Sequence, residues 1–484
     1  MAKKLILRGK LKNRTAFHTG AVGDDFYTDQ PLARNGSGNF YIPGTSLAGA
    51  LRAYAQNLYK DEKIITQLFG YQNGDDGWAS RVFVEDAEIH SVSARSIRDH
   101  LVIMRETGTA APSLKFDEEI IEAGSTFDFL LEIDLDEEID LNQIKGMVKA
   151  WITGFKNSEI ILGASGSRGM GRFTLTEEKV YIWDLSKAEE FDSYLEFLVN
   201  DRAKAVDYSG FPDVKSNKTF LNFRLLCGID GPFMIKDGVV DESAYDGDAP
   251  DMVCRKEMDQ DGKESFVIPG SSIKGAFRAQ TERIINLCRN KKAFDPLWYK
   301  KYMSDGAIDL KKFGQYLEDR IKEGAEPKEV SLCFGSTDDG QGAFLFEDAY
   351  FKDTNNMTKV TNHVAIDPLT GGAKDGALYS MEAIWNQDAE FELAIQVQNP
   401  ELWQLGLLGH LLKDLFTGEI RLGFGKMRGM GKVTLKKLMG GRVQLEALTG
   451  SAGAVDLPDT FTGDAVRWLD QLSVSFNEQM KKGA

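Results

Sequence analysis

Hydroxyl side chains stand twice directly behind a Pro-Gly pair. Thr45 and Ser46 do so in Ile42-Pro43-Gly44-Thr45-Ser46-Leu47-Ala48-Gly49-Ala50-Leu51-Arg52, and Ser271 and Ser272 in Ile268-Pro269-Gly270-Ser271-Ser272-Ile273-Lys274-Gly275-Ala276-Phe277-Arg278. Proline presets φ, glycine makes the turn, and a hydroxyl ahead of a helix-forming run is a good N-cap. Backbone N–H groups and hydroxyls at such a helix start suit a phosphate, although most such turns only cap a helix. Two further stretches set cations among glycines: Leu162-Gly163-Ala164-Ser165-Gly166-Ser167-Arg168-Gly169-Met170-Gly171 and Leu422-Gly423-Phe424-Gly425-Lys426-Met427-Arg428-Gly429-Met430-Gly431. Glycines let backbone N–H groups approach an anion and arginine adds bidentate contacts; the plain alternative is that Arg168 and Arg428 anchor their own loops. Arg52 and Arg278 lie further along their helices, where packing or ion pairing is as good a use. Lys274 has only Ala48 opposite it, which predicts a weaker grip on an anion in the first copy.

Both landmarks recur in the same order, so the chain reads as a duplicated module. Each copy runs from a first strand (Leu5 to Lys12 in copy one) through the Pro-Gly helix and a Phe-Gly corner (Phe69-Gly70, Phe334-Gly335) to a strand (Val82 to Ile89, Ala343 to Phe351). Gly-bearing excursions from His100 and His363 follow, then strands Phe127 to Ile133 and Phe391 to Val397. Helices Leu141 to Phe155 and Leu402 to Phe416 lead into the glycine loops. Strand, helix, strand, strand, helix, strand is the order of a ferredoxin-like module, and two of them predict an α+β chain. We place the first module at 1–200, a linker at 201–216 and the second module at 217–440. A charged, mostly helical insertion falls at about 291–328, and an extension at 441–484 ends in an amphipathic helix, Gly463 to Lys481.

A chain of 484 residues with 42% hydrophobic content can bury ordinary cores in two or three domains. Its net charge of −16 argues against a free-standing, non-specific nucleic-acid binder, while leaving room for local basic sites. Four cysteines without CxxC spacing indicate neither structural zinc nor a disulfide framework. With no apolar signal core and no apolar stretch of membrane length, the expectation is a cytoplasmic protein without a membrane partner.

At these residues the chain resembles the repeat-associated mysterious proteins (RAMP) superfamily of CRISPR systems, and within it the backbone subunits of type III effector complexes. Two tandem copies resemble the double-backbone fusion of a type III-D variant. The resemblance implies partners: a guide (CRISPR) RNA, a complementary single-stranded target RNA and other effector subunits. It implies that Thr45, Ser46, Arg52, Gly166, Arg168, Gly169, Ser271, Ser272, Lys274, Arg278, Gly425, Lys426, Arg428 and Gly429 bind RNA. The excursions at 100–114 and 363–378 would be thumb hairpins, represented by His100, Met104, His363, Pro368 and Leu369, with Met104 or Pro368-Leu369 as apolar wedges between bases. It further implies a metal-dependent endoribonuclease with one loop aspartate per module before the Pro-Gly turn. Asp29-Gln30-Pro31 and Asp248-Ala249-Pro250 match that pattern, with Asp246 and Asp251 as substitutes for Asp248. Asp29 and Asp248 would hold Mg²⁺ or a similar divalent cation, since a carboxylate binds it through oxygen and leaves most of its waters in place.

Other residues keep blander readings beside the sharp ones. An aspartate before proline is also an ordinary turn former. His18 could serve as a general base, but it has no defined partner and copy two offers no histidine in the comparable stretch. Glu85-Asp86 and Glu347-Asp348 read as strand-end acids and not as a metal pair. Two other functions therefore stand against a cutting backbone subunit: a non-cleaving structural filament subunit, and a guide-RNA-processing endonuclease built on a histidine.

Overall fold

The computed structural model describes the chain except residues 1–2, 22–27, 60–61, 137–138, 215–219, 246, 295–297, 305–306, 314, 324–325, 354–356, 440–441, 445–453, 457–463 and 483–484. Asp246 thus lies outside the described residues. Each half builds an antiparallel sheet from the same four positions. In the first, Lys3–Asn13 runs between Phe173–Asp184 and Thr126–Leu135, and Val82–Val84 and Ala87–Ser91 line the far side of Thr126–Leu135. In the second, Phe220–Asp230 runs between Lys432–Leu438 and Glu390–Gln398, with Phe344–Phe346 beyond the latter. The spatial order fourth, first, third, second is ferredoxin-like in both, so the chain is an α+β duplication as its motif order predicts.

Period-two burial explains the sheets. Phe127, Phe129, Leu131, Ile133 and Leu135 are buried from alternate positions of one strand, the pattern of a sheet covered on one face. Helices Gly44–Leu58 and Leu141–Lys156 supply that cover through Leu47, Leu51, Met147, Trp151 and Phe155, and Trp151 Nε1 donates to the Leu51 carbonyl at 3.2 Å. Gly270–Cys288 and Leu402–Thr417 do the same in the second half. The C-terminal helix Asp464–Lys482 packs on Leu402–Thr417 with Leu472 and Phe476 buried. A Cβ at Gly406 would lie 2.1 Å from the Leu472 carbonyl oxygen, so this contact requires glycine.

Each thumb is a two-stranded hairpin, Arg95–Ile103 with Ala110–Ile121 and Thr358–Ile366 with Ala373–Ile384. Two stretches of the fold depart from the sequence reading. The strand expected over Val82 to Ile89 breaks at Glu85-Asp86, and its counterpart breaks at Glu347-Asp348, because the second acid of each pair turns aside to serve a helix. The stretch taken as a linker also straps back onto the first module. Val206 bridges Val180, Phe211 is buried in the first core, and Lys149 Nζ donates to the carbonyls of Ser209 and Phe211.

Candidate nucleic-acid interface and acidic loops

The two helices begin at Gly44 and Gly270 with Pro43 and Pro269 at the N-cap, and no hydroxyl caps them. The cap comes instead from the broken strands. Asp86 Oδ1 accepts from the Gly44 N–H at 2.7 Å and Asp348 Oδ1 from the Gly270 N–H at 2.8 Å. This corrects the sequence reading of both acid pairs and of the hydroxyls. Thr45, Ser46 and Ser272 are exposed and Ser271 is half-buried, so these side chains remain available to a ligand.

A carboxylate at a helix start works against a second anion unless it is neutralised. In the second module Arg98, reaching across from the first thumb, neutralises it: Nη2 lies 2.7 Å from Asp348 Oδ2, and Nε donates to Glu257 Oε1 at 2.8 Å. Arg255 Nε reaches the same Glu257 oxygen at 2.7 Å, and all four residues are buried. Burial opposes the Arg98 charge, but Asp348 and Glu257 outweigh it and hold the guanidinium well above its ordinary range.

The glycine loop of the first module sits directly on the helix start of the second. Lys274 Nζ donates to Ser167 Oγ at 2.9 Å, which brings Ser167, Arg168, Ser271 and Lys274 onto one surface at the seam. Gly169 has φ +110°, and a Cβ there would lie 2.5 Å from Asp348 Oδ1 and 2.9 Å from Gly270 Cα. Gly169→Ala is therefore expected to lower stability by about 1–3 kcal/mol through overpacking, beyond the backbone strain. Gly429→Ala, at φ +85° with open space around it, should cost only the strain of about 1–2 kcal/mol. Denaturant midpoints of the two variants check this, and equal losses would contradict it.

Gly166 and Gly425 are half-buried in their loops, and Gly429 is exposed with Lys426 and Arg428. Arg428 donates to the Tyr379 hydroxyl and lies over the rings of Tyr379 and Phe424. Arg168 Nη2 donates to Ser165 Oγ at 2.9 Å within its own loop. Arg52 is half-buried. Of the two uses open to Arg278, RNA contact or ion pairing, the structure shows the second: it is tied to Glu326 and to the Gly335 carbonyl at 2.9 Å, which joins the helix to the insertion and the Phe-Gly corner.

Asp29 is exposed, but its loop is pinned. The Asp29 N–H donates to Asp117 Oδ1 at 2.8 Å and the Asp117 N–H to Asp29 Oδ2 at 3.0 Å, locking the aspartate to the base of the first thumb. The Glu119 N–H donates to the Gln30 carbonyl and the Ala21 N–H to that of Pro31, while Glu119 Oε2 accepts from the Leu32 N–H. Asp248 is exposed and lies ahead of the segment that pairs with the second thumb. Among the described residues no group of three or more His, Cys, Asp or Glu side chains gathers as a metal cage. No described helix is long and apolar enough to cross a membrane.

The family model of the RAMP superfamily matches residues 10–174 and 255–434, which take in both Pro-Gly helix starts and both glycine loops. The chain belongs to the RAMP superfamily. It is similar to the CRISPR system Cms endoribonuclease Csm3 of Methanocaldococcus jannaschii, 30% identical over 203 residues that span 37% of this chain and 80% of that protein. The protein of the same name from Streptococcus thermophilus is 29% identical over 201 residues, 36% of this chain and 89% of its own length. Each relative thus covers about one RAMP module of the two.

The two hairpins expected as thumbs differ sharply. Met104, expected as an exposed wedge, is buried with Ala111 against Tyr302 and Tyr316 of the insertion, and Glu106 pairs with Arg320 there. His100 is also buried, stacked on Phe116 at 4.7 Å. The second thumb is free at its tip: Pro368 is exposed and Leu369 is 94% exposed, while His363 stacks on Tyr379 at 5.1 Å.

Sequence reasoning missed Glu118, because its partners lie far along the chain. It is buried with His100 Nε2 at 2.9 Å and His18 Nδ1 at 3.9 Å, and His18 Nδ1 contacts the Glu119 carbonyl at 2.7 Å. Burial alone would raise the Glu118 carboxyl, but the His100 hydrogen bond and the nearby His18 and Arg168 charges outweigh it and hold it below its ordinary range.

Proposed function

We propose that this RAMP protein is a double backbone subunit of a type III CRISPR effector complex, binding guide RNA and cutting complementary single-stranded target RNA, the first cut depending on Asp29. The seam carries the reading. A phosphate chain crossing from one module to the next meets Arg168, Lys274, Ser271 and the glycine-loop N–H groups together, on an otherwise acidic protein. Its relatives are named as endoribonucleases of a CRISPR system, which supports the cutting. A guide-processing site would need an accessible histidine. His18 is buried against Glu119, which disfavours that alternative.

The chemistry asks for positioning. The 2′-oxygen of the target forms a bond to phosphorus and the P–O5′ bond breaks. The 2′-proton leaves to a base, and the 5′-oxygen takes a proton from water, leaving a 2′,3′-cyclic phosphate and a 5′-hydroxyl. Asp29 gives Oδ2 to the thumb base, and its other carboxylate oxygen serves the 2′-hydroxyl or a cation. The adjoining Asp117 makes a donor set that suits Mg²⁺, which takes one or two carboxylates and completes its shell with water and phosphate oxygens. Such an ion would offset the negative charge that grows on the phosphate.

Guide-RNA affinity measured across salt tests the RNA-binding part. Affinity should fall steeply with salt, and Arg168→Ala and Lys274→Ala should each flatten the logarithmic slope by about one. Unchanged slopes would count against the seam.

The seam also predicts a pH dependence. Burial, then the Arg278 and Arg168 charges, pushes Lys274 down to about 8 in the free chain. A phosphate beside it favours the ammonium and raises that value again, so binding takes up a proton. Affinity should therefore fall as pH rises from 7 through 9, by up to about tenfold over that window, since one proton bound to a group of free value near 8 is at stake. Lys274→Met should abolish the slope, which dissociation constants at the two pH values would read.

A further inference from the structure

We propose that Asp251, and not Asp248 of the Asp-x-Pro pattern, carries the second cut. The inference rests on the cleavage reading above and assigns the second site within it.

Several independent contacts fix the register between the copies. Phe17 bridges Ile121 as Phe233 bridges Ile384; Gly20 bridges Leu32 as Lys236 bridges Cys254; and Arg34 bridges Phe40 while Lys256 pairs with Phe266. Gln30 runs parallel to Glu118 in the first thumb base, as Met252 runs parallel to Met381 in the second. Backbone hydrogen bonds repeat the match. The Glu119 N–H meets the Gln30 carbonyl as the Glu382 N–H meets that of Met252. The Ala33 N–H meets the Thr19 carbonyl as the Arg255 N–H meets that of Ile235. The pairs before the loop and at the thumb base align the two frames, and those made by Gln30, Leu32, Ala33 and Arg34 with Met252, Cys254, Arg255 and Lys256 place Asp251 where Asp29 stands and Val253 where Pro31 stands.

The side chains then show the same device. Asp29 exchanges hydrogen bonds with Asp117; Asp251 exchanges them with Ser380, the residue in the place of Asp117. The Asp251 N–H donates to Ser380 Oγ at 3.0 Å, and Asp251 Oδ2 accepts from the Ser380 N–H at 2.6 Å. Ser380 Oγ also lies 3.0 Å from Oδ2. These bonds hold the Asp251 carboxyl below its ordinary range, with the Ser380 backbone bond the largest cause, so it is ionised when RNA arrives. An aspartate that must sit beside one defined phosphate needs this kind of fixed support. Asp248 lies upstream of the paired segment, in an exposed loop. The proline that draws attention to Asp248 belongs to the longer loop of the second copy, and the paired segment that follows has none.

The test uses the full chain assembled with guide RNA and its partner subunits, acting on complementary RNA labelled at either end, with target binding measured alongside. Asp251→Asn should slow the second product about 100-fold or more while the first persists; an amide oxygen still accepts from the Ser380 N–H, so the loop and target binding should be kept. Asp248→Asn should change neither product by more than about twofold, within the range of a side chain outside the chemistry. Loss of the second product in Asp248→Asn with retention in Asp251→Asn overturns the assignment. If the wild-type complex forms no product, the cleavage reading itself fails, and if Asp29→Asn leaves every product intact, the template for the second site fails with it. Should the Asp251 variant not assemble, Ser380→Ala removes part of its support without touching Asp248. The second product then slows about tenfold or more if Asp251 acts, and an unchanged rate overturns the proposal.

Discussion

Arg98→Ala is expected to destabilise the chain by about 3–5 kcal/mol, the cost of removing one partner from a buried ion cluster. Arg255 still faces Glu257 in that variant, so the loss falls on Asp348, left buried with, among the described residues, the Gly270 N–H to hold it. Burial already raises the Asp348 carboxyl even with Arg98 present. Without the guanidinium its folded pKa lies further above the unfolded value, so the stability that its protonation restores is present at low pH and lost as pH rises. The deficit should accordingly be smaller at pH 5 than at pH 8 when both proteins are unfolded in denaturant. An unchanged midpoint at pH 8 would show that the seam does not depend on this cluster. The same register puts Thr361 where Arg98 stands and Asn35 where Glu257 stands, so this lock belongs to the inner seam alone.

Asp29→Asn should reduce the first cut by about 10²–10⁴-fold while target binding is kept, the range expected when a group acting on a proton in the transition state is lost. Asparagine preserves the acceptor for the Asp117 N–H, so the pinned loop survives and only the charge goes. Single-turnover rates on labelled target RNA read the effect. A first product formed at the original rate would remove Asp29 from the chemistry.

Much of the architecture is legible in the sequence because its signals are local. Alternation marks the strands, and Pro-Gly with following hydroxyls marks the helix starts. What the sequence hides is mostly long-range. Asp86 caps Gly44 from 42 positions away and Asp348 caps Gly270 from 78, so acids that look like idle strand ends prove to be caps. Met104 has the composition of an exposed wedge, but the insertion that covers it enters some 200 residues later, as the Glu106–Arg320 pair shows across 214 positions. The second acidic loop misleads for the opposite reason. The short pattern falls on Asp29 in the first copy and on Asp248 in the second, whereas the register sets Asp251 opposite Asp29, because loop length changed while the pairing with the thumb base did not. Lys274 and Arg168 were recognisable as cations, but only the fold brings residues from different modules to one surface.

Two modules in one chain that stand side by side on one guide should each place a cut. Mapping cut positions on complementary RNA, with complexes that contain a single copy of this chain, tests it most directly. Two cuts are expected at constant spacing, moving together when the guide is shifted along the target, whatever the bases at the cut sites. A single cut, or cuts that stay with the target sequence when the guide is shifted, would contradict it.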